Sequence, residues 1–276
     1  MFIKPKQYVG VGINYRTAVA KDILVNIHHL DCVEMNTERL FIDFNHPLIT
    51  EIRQRVPVVL HGLTLSIGTD QEISESYLTA LCSTLQKSPC AWFSEHLAVT
   101  HINQLAIRGL MPVAFNTASL SRIVKKAKHI QATTNHLFLL ENIAYYYVMP
   151  ESDLLEHDFL TTILNEADCG LLLDLTNLFV NAMNHRYNPY EFIDALPLDR
   201  IVAVHLAGCD WIDNMWVDTH ASPVRREVLD LLAYLVRKTP VNGVIIERDA
   251  RLELFSKLID EVYIVRNLLQ AVRPRV

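Results

Sequence analysis

GLLLD, residues Gly170–Asp174, is a short apolar run that ends in a carboxylate. A strand buried on both faces of a parallel sheet has this form, because it lacks the alternation of polar and apolar residues of a half-exposed strand. Seven further runs share the form, with helical stretches between them: VGVGIN (Val9–Asn14), CVEMN (Cys32–Asn36), PVVLH (Pro57–His61), AWFSEH (Ala91–His96), LFLLEN (Leu137–Asn142), IVAVH (Ile201–His205) and GVIIE (Gly243–Glu247). Eight strands that alternate with helices predict an α/β fold, a parallel (β/α)8 barrel that occupies residues 1–276 as a single domain.

Composition and charge narrow the class of protein. The chain has 276 residues, half of them hydrophobic and a fifth charged, as expected for one globular barrel domain. Its apolar runs are too short to cross a membrane and its N-terminus shows no apolar signal core, so we expect a cytoplasmic protein. The net charge of −6, with RIVKKAKH (Arg122–His129) as the longest basic run, disfavours nucleic acid as a partner. The five cysteines include no C-x-x-C pair and are expected to be reduced thiols.

Nearly every predicted strand ends in a side chain that can bind metal. Active sites of (β/α)8 barrels lie at the C-terminal ends of the strands, so these side chains should converge there. Three connections after strands are long, namely His96 to Asn116, Asp174 to Tyr187 and His205 to Ser222, and the last two carry further polar candidates, including Asn177. The resulting candidate ligands are His61, His96, Glu141, Asp174, His185, His205, Asp218, His220 and Glu247.

Histidine and carboxylate ligands in one pocket suit Zn, Mn or Fe. One such ion needs three or four protein ligands, so nine candidates are enough for two or three ions, especially if a carboxylate bridges. Any one of these residues alone is more simply explained as structural; Asp174, for example, could cap a helix. The agreement of the whole set in type and position favours metal binding. The absence of cysteine from the set disfavours structural zinc and iron–sulfur clusters.

Several longer motifs occur in a fixed order along the chain. They are VVLHGLTLSIGT (Val58–Thr69), FSEHLAVT (Phe93–Thr100), LLENIAYY (Leu139–Tyr146), GLLLDLTNLFVNAMNH (Gly170–His185), VHLAGCD (Val204–Asp210), WVDTHASPV (Trp216–Val224) and VIIERD (Val244–Asp249). With these motifs the chain resembles, over essentially its whole length, the multinuclear non-haem iron-dependent oxidases of the kind found in methanobactin biosynthesis. This family has long been catalogued as a conserved family of unknown function.

The resemblance implies a xylose-isomerase-like TIM barrel that holds two or three metal ions, with iron as the expected metal and zinc or manganese as alternatives. Members of the family use O2 to oxidise cysteine residues of a ribosomally made precursor peptide, often with a small partner protein that presents it. By motif, the first metal would be held by His61, His96 and Glu141, the second by Asp174, His205 and Glu247 with Glu141 as a bridge, and a third, more labile metal by Asn177, His185, Asp218 and His220. Asp249 and Asn142 would be the catalytic candidates beside them.

The chain departs from the family pattern at four places. Cys209 replaces a usual histidine, Arg248 a usual tryptophan and Ala221 a usual glycine, and Asn14 begins an altered segment after the first strand. These departures leave the candidate ligands intact but change the expected wall of the pocket. A non-redox sugar isomerase or epimerase, or a phosphodiester hydrolase with Mn, Zn or Mg, would use the same ligand types. The acidic net charge disfavours the hydrolase. The isomerase is disfavoured because no lysine lies at the end of a predicted strand to assist it. A scaffold protein without activity would be expected to have lost metal ligands, but every candidate ligand position is filled here.

Overall fold

The structure is a computed structural model, which describes residues 2–5, 7–103 and 105–272. Its strands are β1 (Gly10–Asn14), β2 (Cys32–Asn36), β3 (Val58–Gly62), β4 (Phe93–His96), β5 (Val99–Ile102), β6 (Leu105–Met111), β7 (Phe138–Glu141), β8 (Gly170–Asp174), β9 (Ile201–Ala207), β10 (Cys209–Ile212), β11 (Met215–Asp218) and β12 (Gly243–Glu247). Eight of them pair in parallel and close into a barrel in the order β1-β2-β3-β4-β7-β8-β9-β12. The predicted (β/α)8 barrel is therefore confirmed.

Helices follow every barrel strand. They are α1 (Ala20–Asn26), α2 (Thr37–Asp43), α3 (Pro47–Arg55), α4 (Glu75–Lys87), α5 (Thr117–Thr134), α6 (Glu156–Ala167), α7 (Leu175–His185), α8 (Pro189–Ala195), α9 (Arg226–Lys238) and α10 (Phe255–Val272). Among the described residues, no helix is both long enough and apolar enough to cross a bilayer.

The predicted long connection from Asp174 to Tyr187 is wrong, because α7 begins directly after β8. The Asp174 carboxylate caps this helix by accepting a hydrogen bond from the Asn177 backbone amide at 2.7 Å. The asparagines that suggest a loop instead form hydrogen bonds with the backbone of the segment that follows β7. The Asn181 side chain accepts a hydrogen bond from the Tyr145 amide and donates one to the Ile143 carbonyl. These bonds explain how a polar stripe is buried within a helix.

The other two long connections each contain an antiparallel hairpin. β5 pairs with β6 after the fourth barrel strand, and β10 pairs with β11 after the seventh. Asp213 and Asn214 form the tip of the β10–β11 hairpin with φ angles of 48° and 64°. Two consecutive left-handed residues are typical of the tight turns that match strand twist. Both hairpins leave strands at their C-terminal ends and therefore flank the expected site.

The barrel interior is layered. Its lower layer is a buried apolar cluster that includes Cys32, Val59, Trp92, Leu139, Leu172, Ala203 and Ile245. Residues i and i+2 of a strand point to the same face. Two positions after these residues stand Glu34, His61, Ser94, Glu141, Asp174, His205 and Glu247. The period of the strand thus stacks a layer of polar side chains directly above a closed apolar floor.

Candidate metal centre

The polar layer contains two groups of side chains that could each hold a metal ion. One comprises His61, His96 and Glu141, and the other comprises Glu141, Asp174, His205 and Glu247. Within each group, one ligand atom from every residue lies within 4.8 Å of the others. Strand register produces this proximity, because His96 pairs with Glu141 and Asp174 pairs with His205. The structure therefore brings together the six strand-end candidates, with Glu141 common to both groups.

In the first group, three ligand atoms form a nearly equilateral triangle. Glu141 Oε2 lies 3.1 Å from His61 Nε2 and 3.2 Å from His96 Nε2, and the two nitrogens are 3.2 Å apart. Two ligand atoms bound tetrahedrally at about 2.0–2.1 Å to one metal are about 3.3 Å apart. The observed spacing fits a shared cation.

Hydrogen bonds on the far side of each ring decide which nitrogens of this group carry a hydrogen. His96 Nδ1 lies 3.1 Å from the Gly62 carbonyl oxygen, which can only accept. His61 Nδ1 lies 2.8 Å from Ser94 Oγ, whose own hydrogen goes to the Leu60 carbonyl. Both Nδ1 atoms therefore donate, and both Nε2 atoms, which face Glu141 Oε2, are left to bind a proton or a metal ion. This is how hydrogen-bonding partners orient histidine ligands in metal sites.

In the second group, His205 is fully buried among carboxylates. Its Nδ1 lies 2.9 Å from Glu141 Oε1 and 3.3 Å from Glu247 Oε2, while its Nε2 lies 2.9 Å from Glu34 Oε2. The sequence analysis missed Glu34. A signal was available, since Glu34 is a carboxylate inside an apolar strand, two positions after the inward-facing Cys32. Glu34 holds the Nε2 edge of the ring, opposite the Nδ1 edge that faces Glu141 and Glu247.

Asp218 and His220 approach the barrel from the β10–β11 hairpin. Asp218 Oδ2 lies 2.9 Å from His220 Nε2, and His220 Nδ1 lies 3.7 Å from Glu247 Oε2. The His220 backbone is left-handed, with a φ of 49°, which is uncommon for residues other than glycine. Hydrogen bonds to Gly208 and from Asp249 hold that backbone on both sides. A strained backbone that its surroundings enforce is typical of a functional position.

Three other candidates have different surroundings. His185 lies at the C-terminal end of α7, roughly 15 Å along the helix axis from the capping residue Asp174. Its ring stacks on Tyr145, and its Nε2 lies 3.0 Å from the Tyr145 carbonyl. The structure thus leaves His185 outside the two ligand groups. The Asn142 amide exchanges two hydrogen bonds with the Asp174 backbone, at 2.9 and 3.0 Å. Asn177 adjoins the centre because its backbone N–H donates a hydrogen bond to the Asp174 carboxylate.

Asp249 lies at the more open edge of the centre, with a side chain 40% exposed. Its Oδ2 lies 3.6 Å from His220 Nδ1, and its Oδ1 accepts from Asn14 and pairs with Arg16. Burial raises the pKa of Asp249, but His220 and Arg16 lower it more, so the carboxylate is held ionised. The altered segment after the first strand thus positions Asp249.

The centre has more carboxylates than positively charged groups to balance them. This excess of negative charge raises the pKa values of several of its side chains. Burial lowers the pKa of His61, but Glu141 and Glu34 outweigh it and raise the value to about 9. The pKa of His205 is likewise raised well above its usual value, against burial, by the surrounding carboxylates. Burial and the charge of Glu141 raise the pKa of Asp174. Negative charge at this depth demands cations, either protons or metal ions.

Buried polar atoms test whether metal ions fit this centre. Six atoms of the centre make no hydrogen bond among the described residues, although Glu141 Oε2 and the His220 nitrogens lie near ionisable neighbours. They are Glu141 Oε2, Asp174 Oδ2, Asn177 Oδ1, Asp218 Oδ1, and Nδ1 and Nε2 of His220. An unsatisfied buried acceptor costs about 1–3 kcal/mol, and metal ions would satisfy several at once. Oxygen and imidazole donors suit Fe, Mn or Zn. These residues fit more than one metal ion.

Comparison with known proteins gives the context of this site. The family model described as "RiPP precursor modification enzyme MbnB/TglH/ChrH" matches residues 10–270. The chain belongs to this family. Members are enzymes that modify precursors of ribosomally made peptides, and the sequence resemblance pointed to the same group.

Relatives of similar length share the whole barrel. A UPF0276 protein of Anaeromyxobacter sp. (strain Fw109-5) is 32% identical over 258 residues, 93% of this chain and 91% of the relative. One of Acinetobacter baylyi is 30% identical over 267 residues, 96% of this chain and 92% of the relative. Among solved structures, 3-keto-D-glucoside 4-epimerase YcjR from E. coli covers 94% of this chain and 99% of its own, with a TM-score of 0.64 and 14% identity. The match to endonuclease IV from Thermus thermophilus covers 95% of this chain and 99% of the endonuclease, with a TM-score of 0.62 and 14% identity. Likenesses at these identities show the xylose-isomerase-like fold.

Of two departures from the family pattern, Arg248 points away from the ligands, whereas Cys209 stands opposite the candidate ligand Asp218 in the β10–β11 hairpin. Arg248 follows the inward-facing Glu247 by one position, so its guanidinium points outward and lies 2.6 Å from Glu261 Oε1 on α10. Cys209 is buried in the main core, and burial raises its pKa to about 12. A neutral, packed thiol is a poor nucleophile and a poor metal ligand.

Proposed function

We propose that this protein is a multinuclear iron oxidase that uses O2 to modify cysteine residues of a ribosomally synthesised precursor peptide. The observation that carries the proposal is the sharing of Glu141 between two adjacent ligand groups. A bridging carboxylate is what a multinuclear site needs to hold two cations close together. Membership of the precursor-modifying family supports the peptide substrate.

The roles of the chain's own residues follow from their positions. His61, His96 and Glu141 would hold one iron, and Glu141, Asp174, His205 and Glu247 a second. Asn177, Asp218 and His220 would hold a third, closer to solvent. Bound iron would supply O2 binding and stepwise electron transfer, with O2 as the oxidant and the peptide cysteine as the reductant. Asn142, whose amide is fully engaged by the Asp174 backbone, would position that ligand.

Asp249 is the residue best placed to handle a substrate proton. Its carboxylate is held ionised and lies at the more open edge, beside His220. We propose that its Oδ2 accepts the thiol proton as the substrate cysteine approaches.

Apolar side chains on the two hairpins offer a surface for the peptide or for a small protein that presents it. Ile102 and Leu105 are 50% and 73% exposed on the β5–β6 hairpin, and Trp211 and Ile212 are 57% and 43% exposed on the β10–β11 hairpin. Exposed apolar residues that are grouped beside a site indicate a binding surface. We propose that the substrate reaches the centre between these hairpins.

The test is anaerobic reconstitution with Fe(II), followed by a cysteine-containing peptide encoded near the gene and then by O2. We expect O2 consumption and a mass change on the peptide, both lost in His96→Ala and Asp174→Ala. Glu166→Gln, on the exposed face of α6, serves as the matched control and should retain activity. An iron-loaded protein that consumes no O2 with thiol peptides would contradict the proposal. So would a zinc- or manganese-loaded protein that epimerises a sugar.

A further inference from the structure

A cavity lies apart from the metal centre. It has a volume of about 360 Å³ and lies where the chain after β7 meets the first turns of α6 and α8. Aromatic rings of Phe115, Tyr145, Tyr187 and Phe192 line it, together with the carboxyl groups of Glu156 and Glu191. None of the metal-ligand candidates discussed above belongs to its lining. The volume falls within the range of small-molecule sites, about 300–1,000 Å³.

Besides Nδ1 of His157, two polar groups in this cavity have hydrogen-bonding capacity to spare. Glu156 Oε2 accepts a hydrogen bond from the Tyr145 hydroxyl at 3.0 Å, and Oε1 has no partner among the described residues. The Tyr187 hydroxyl is buried and also lacks a partner in the described part of the chain. Burial raises the pKa of Glu156 to about 8. Unsatisfied polar groups around an apolar cavity indicate a ligand that supplies the missing partners.

The sign of the charge selects the kind of ligand. The lining contains two glutamates, one histidine and no lysine or arginine, and the histidine, His157, lies 3.1 Å from Asp158 Oδ1 through its Nδ1. The N-terminus of α6 adds a partial positive charge of about +0.5 at most, which the ionised Glu191 alone exceeds; Glu156 adds a second negative charge when it loses its proton. The faces of aromatic rings also attract cations. Both contributions favour a cationic ligand over an anionic one.

We propose that this cavity binds a small organic cation, a primary ammonium group on an apolar body. The ammonium group would donate to Glu156 Oε1 and to Glu191, and the apolar body would pack among the four rings. Glu156 would give up its proton as the ammonium group binds, because an adjacent positive charge favours the carboxylate. This site is independent of the proposed oxidase activity.

The experiment is a calorimetric titration of the metal-loaded protein at pH 7 with three probes of similar shape: 2-phenylethylamine, 2-phenylethanol and phenylacetate. We expect the amine to bind most tightly, with a binding enthalpy that depends on the ionisation heat of the buffer. Glu156→Gln should weaken amine binding about tenfold or more, since it removes a charge-assisted hydrogen bond. Glu166→Gln, on the same helix but exposed, should leave it unchanged.

Equal or tighter binding of the alcohol or of phenylacetate would overturn the proposal, as would undiminished amine binding in Glu156→Gln. Glu191 is exposed, so Glu191→Gln provides a second variant whose folding should not be affected. It should weaken amine binding several-fold. If Glu156→Gln does not fold, unchanged binding in Glu191→Gln refutes the site.

Discussion

At the scale of single residues, Glu141 has the most consequential position. Its two carboxylate oxygens face different groups, with Oε2 near His61 and His96 and Oε1 near His205. Burial raises the pKa of Glu141, but the three histidines lower it well below the usual value. A carboxylate kept ionised at the junction of two ligand groups is suited to bridge cations.

Removing this charge should empty more than one metal position. Glu141→Gln keeps the shape of the side chain but loses the negative charge and one ligand oxygen, so we expect it to lose more than one metal equivalent. His220→Ala should lose at most one. Elemental analysis measures the metal content of both variants, with Glu166→Gln purified in parallel as the control. Full metal content in both variants would refute the ligand assignment.

Glu34 acts on the centre through His205. Glu34→Gln replaces the carboxylate on His205 Nε2 with a neutral amide, which holds the ring less firmly and makes it a weaker ligand. Losses of this kind typically cost about 10–100-fold in metal affinity. Competition with a chelator of known affinity should show that loss at the second group. The affinity of the His61 group should be nearly unchanged, and equal losses at both groups would mean a general structural defect.

Glu156 should give the protein a pH-dependent stability. Its folded-state pKa of about 8 exceeds the unfolded value of 4.5, so the folded state binds the proton more tightly. The stabilisation is therefore fully present below about pH 4.5 and is lost as the pH rises through about 8. In chemical unfolding between pH 6 and 9, the free energy of unfolding of the wild type should fall by roughly 1–4 kcal/mol more than that of Glu156→Gln. Parallel pH profiles for the two proteins would contradict the assignment.

At the scale of elements, the β10–β11 hairpin links the metal centre to the barrel rim. It pairs Cys209 with Asp218 and leads directly into His220. Gly208, at its base, accepts a hydrogen bond from the His220 amide and lies against Ser222. The hairpin therefore sets the distance of Asp218 and His220 from the strand-end ligands.

Gly208→Ala tests this arrangement. A Cβ atom built at position 208 would lie 1.8 Å from the Ser222 carbonyl oxygen, so the backbone must move. We expect a destabilisation of about 3 kcal/mol and loss of the metal that His220 holds. Thermal unfolding and elemental analysis measure the two effects. Gly109→Ala is the comparison, because nothing lies within 4 Å of its Cβ, although a φ of 134° strains it locally. It should keep full metal content.

At the scale of the whole molecule, the barrel closes an apolar floor beneath a layer of buried charge. Glu34, Glu141, Asp174 and Glu247 are each at most 7% exposed. Such charges destabilise a fold unless cations neutralise them. Metal binding should therefore contribute to the stability of the folded barrel as well as to its activity.

Metal removal should lower the melting temperature. A ligand present at 100 times its Kd stabilises the folded state by about 2.7 kcal/mol, and each kcal/mol corresponds to about 2–4 °C in a protein of this size. We expect chelation to lower the Tm by about 5–10 °C and anaerobic Fe(II) to restore it. His96→Ala should show a smaller shift. A Tm that does not respond to chelator in wild type would contradict metal binding at this centre.

Some features of the fold and of the site could be predicted from local sequence. The ranges Gly170–Asp174 and Gly243–Glu247 were predicted as strands and are strands with those bounds. A strand buried on both faces leaves a continuous apolar run, and this signal is contained within five residues. A ligand that ends such a run must lie at the active end of the barrel. For this reason the six strand-end candidates could be named without coordinates.

Other features depended on contacts between distant parts of the chain. Glu34 meets His205 across 171 positions. Arg248 turns outward to Glu261, and His185 turns to Tyr145 instead of the centre. Side-chain direction on a strand alternates with each residue, so a one-position difference decides between the barrel interior and the helical layer. Composition and motif order determine which chemistry is present, but only strand register and closure of the barrel decide which side chains meet.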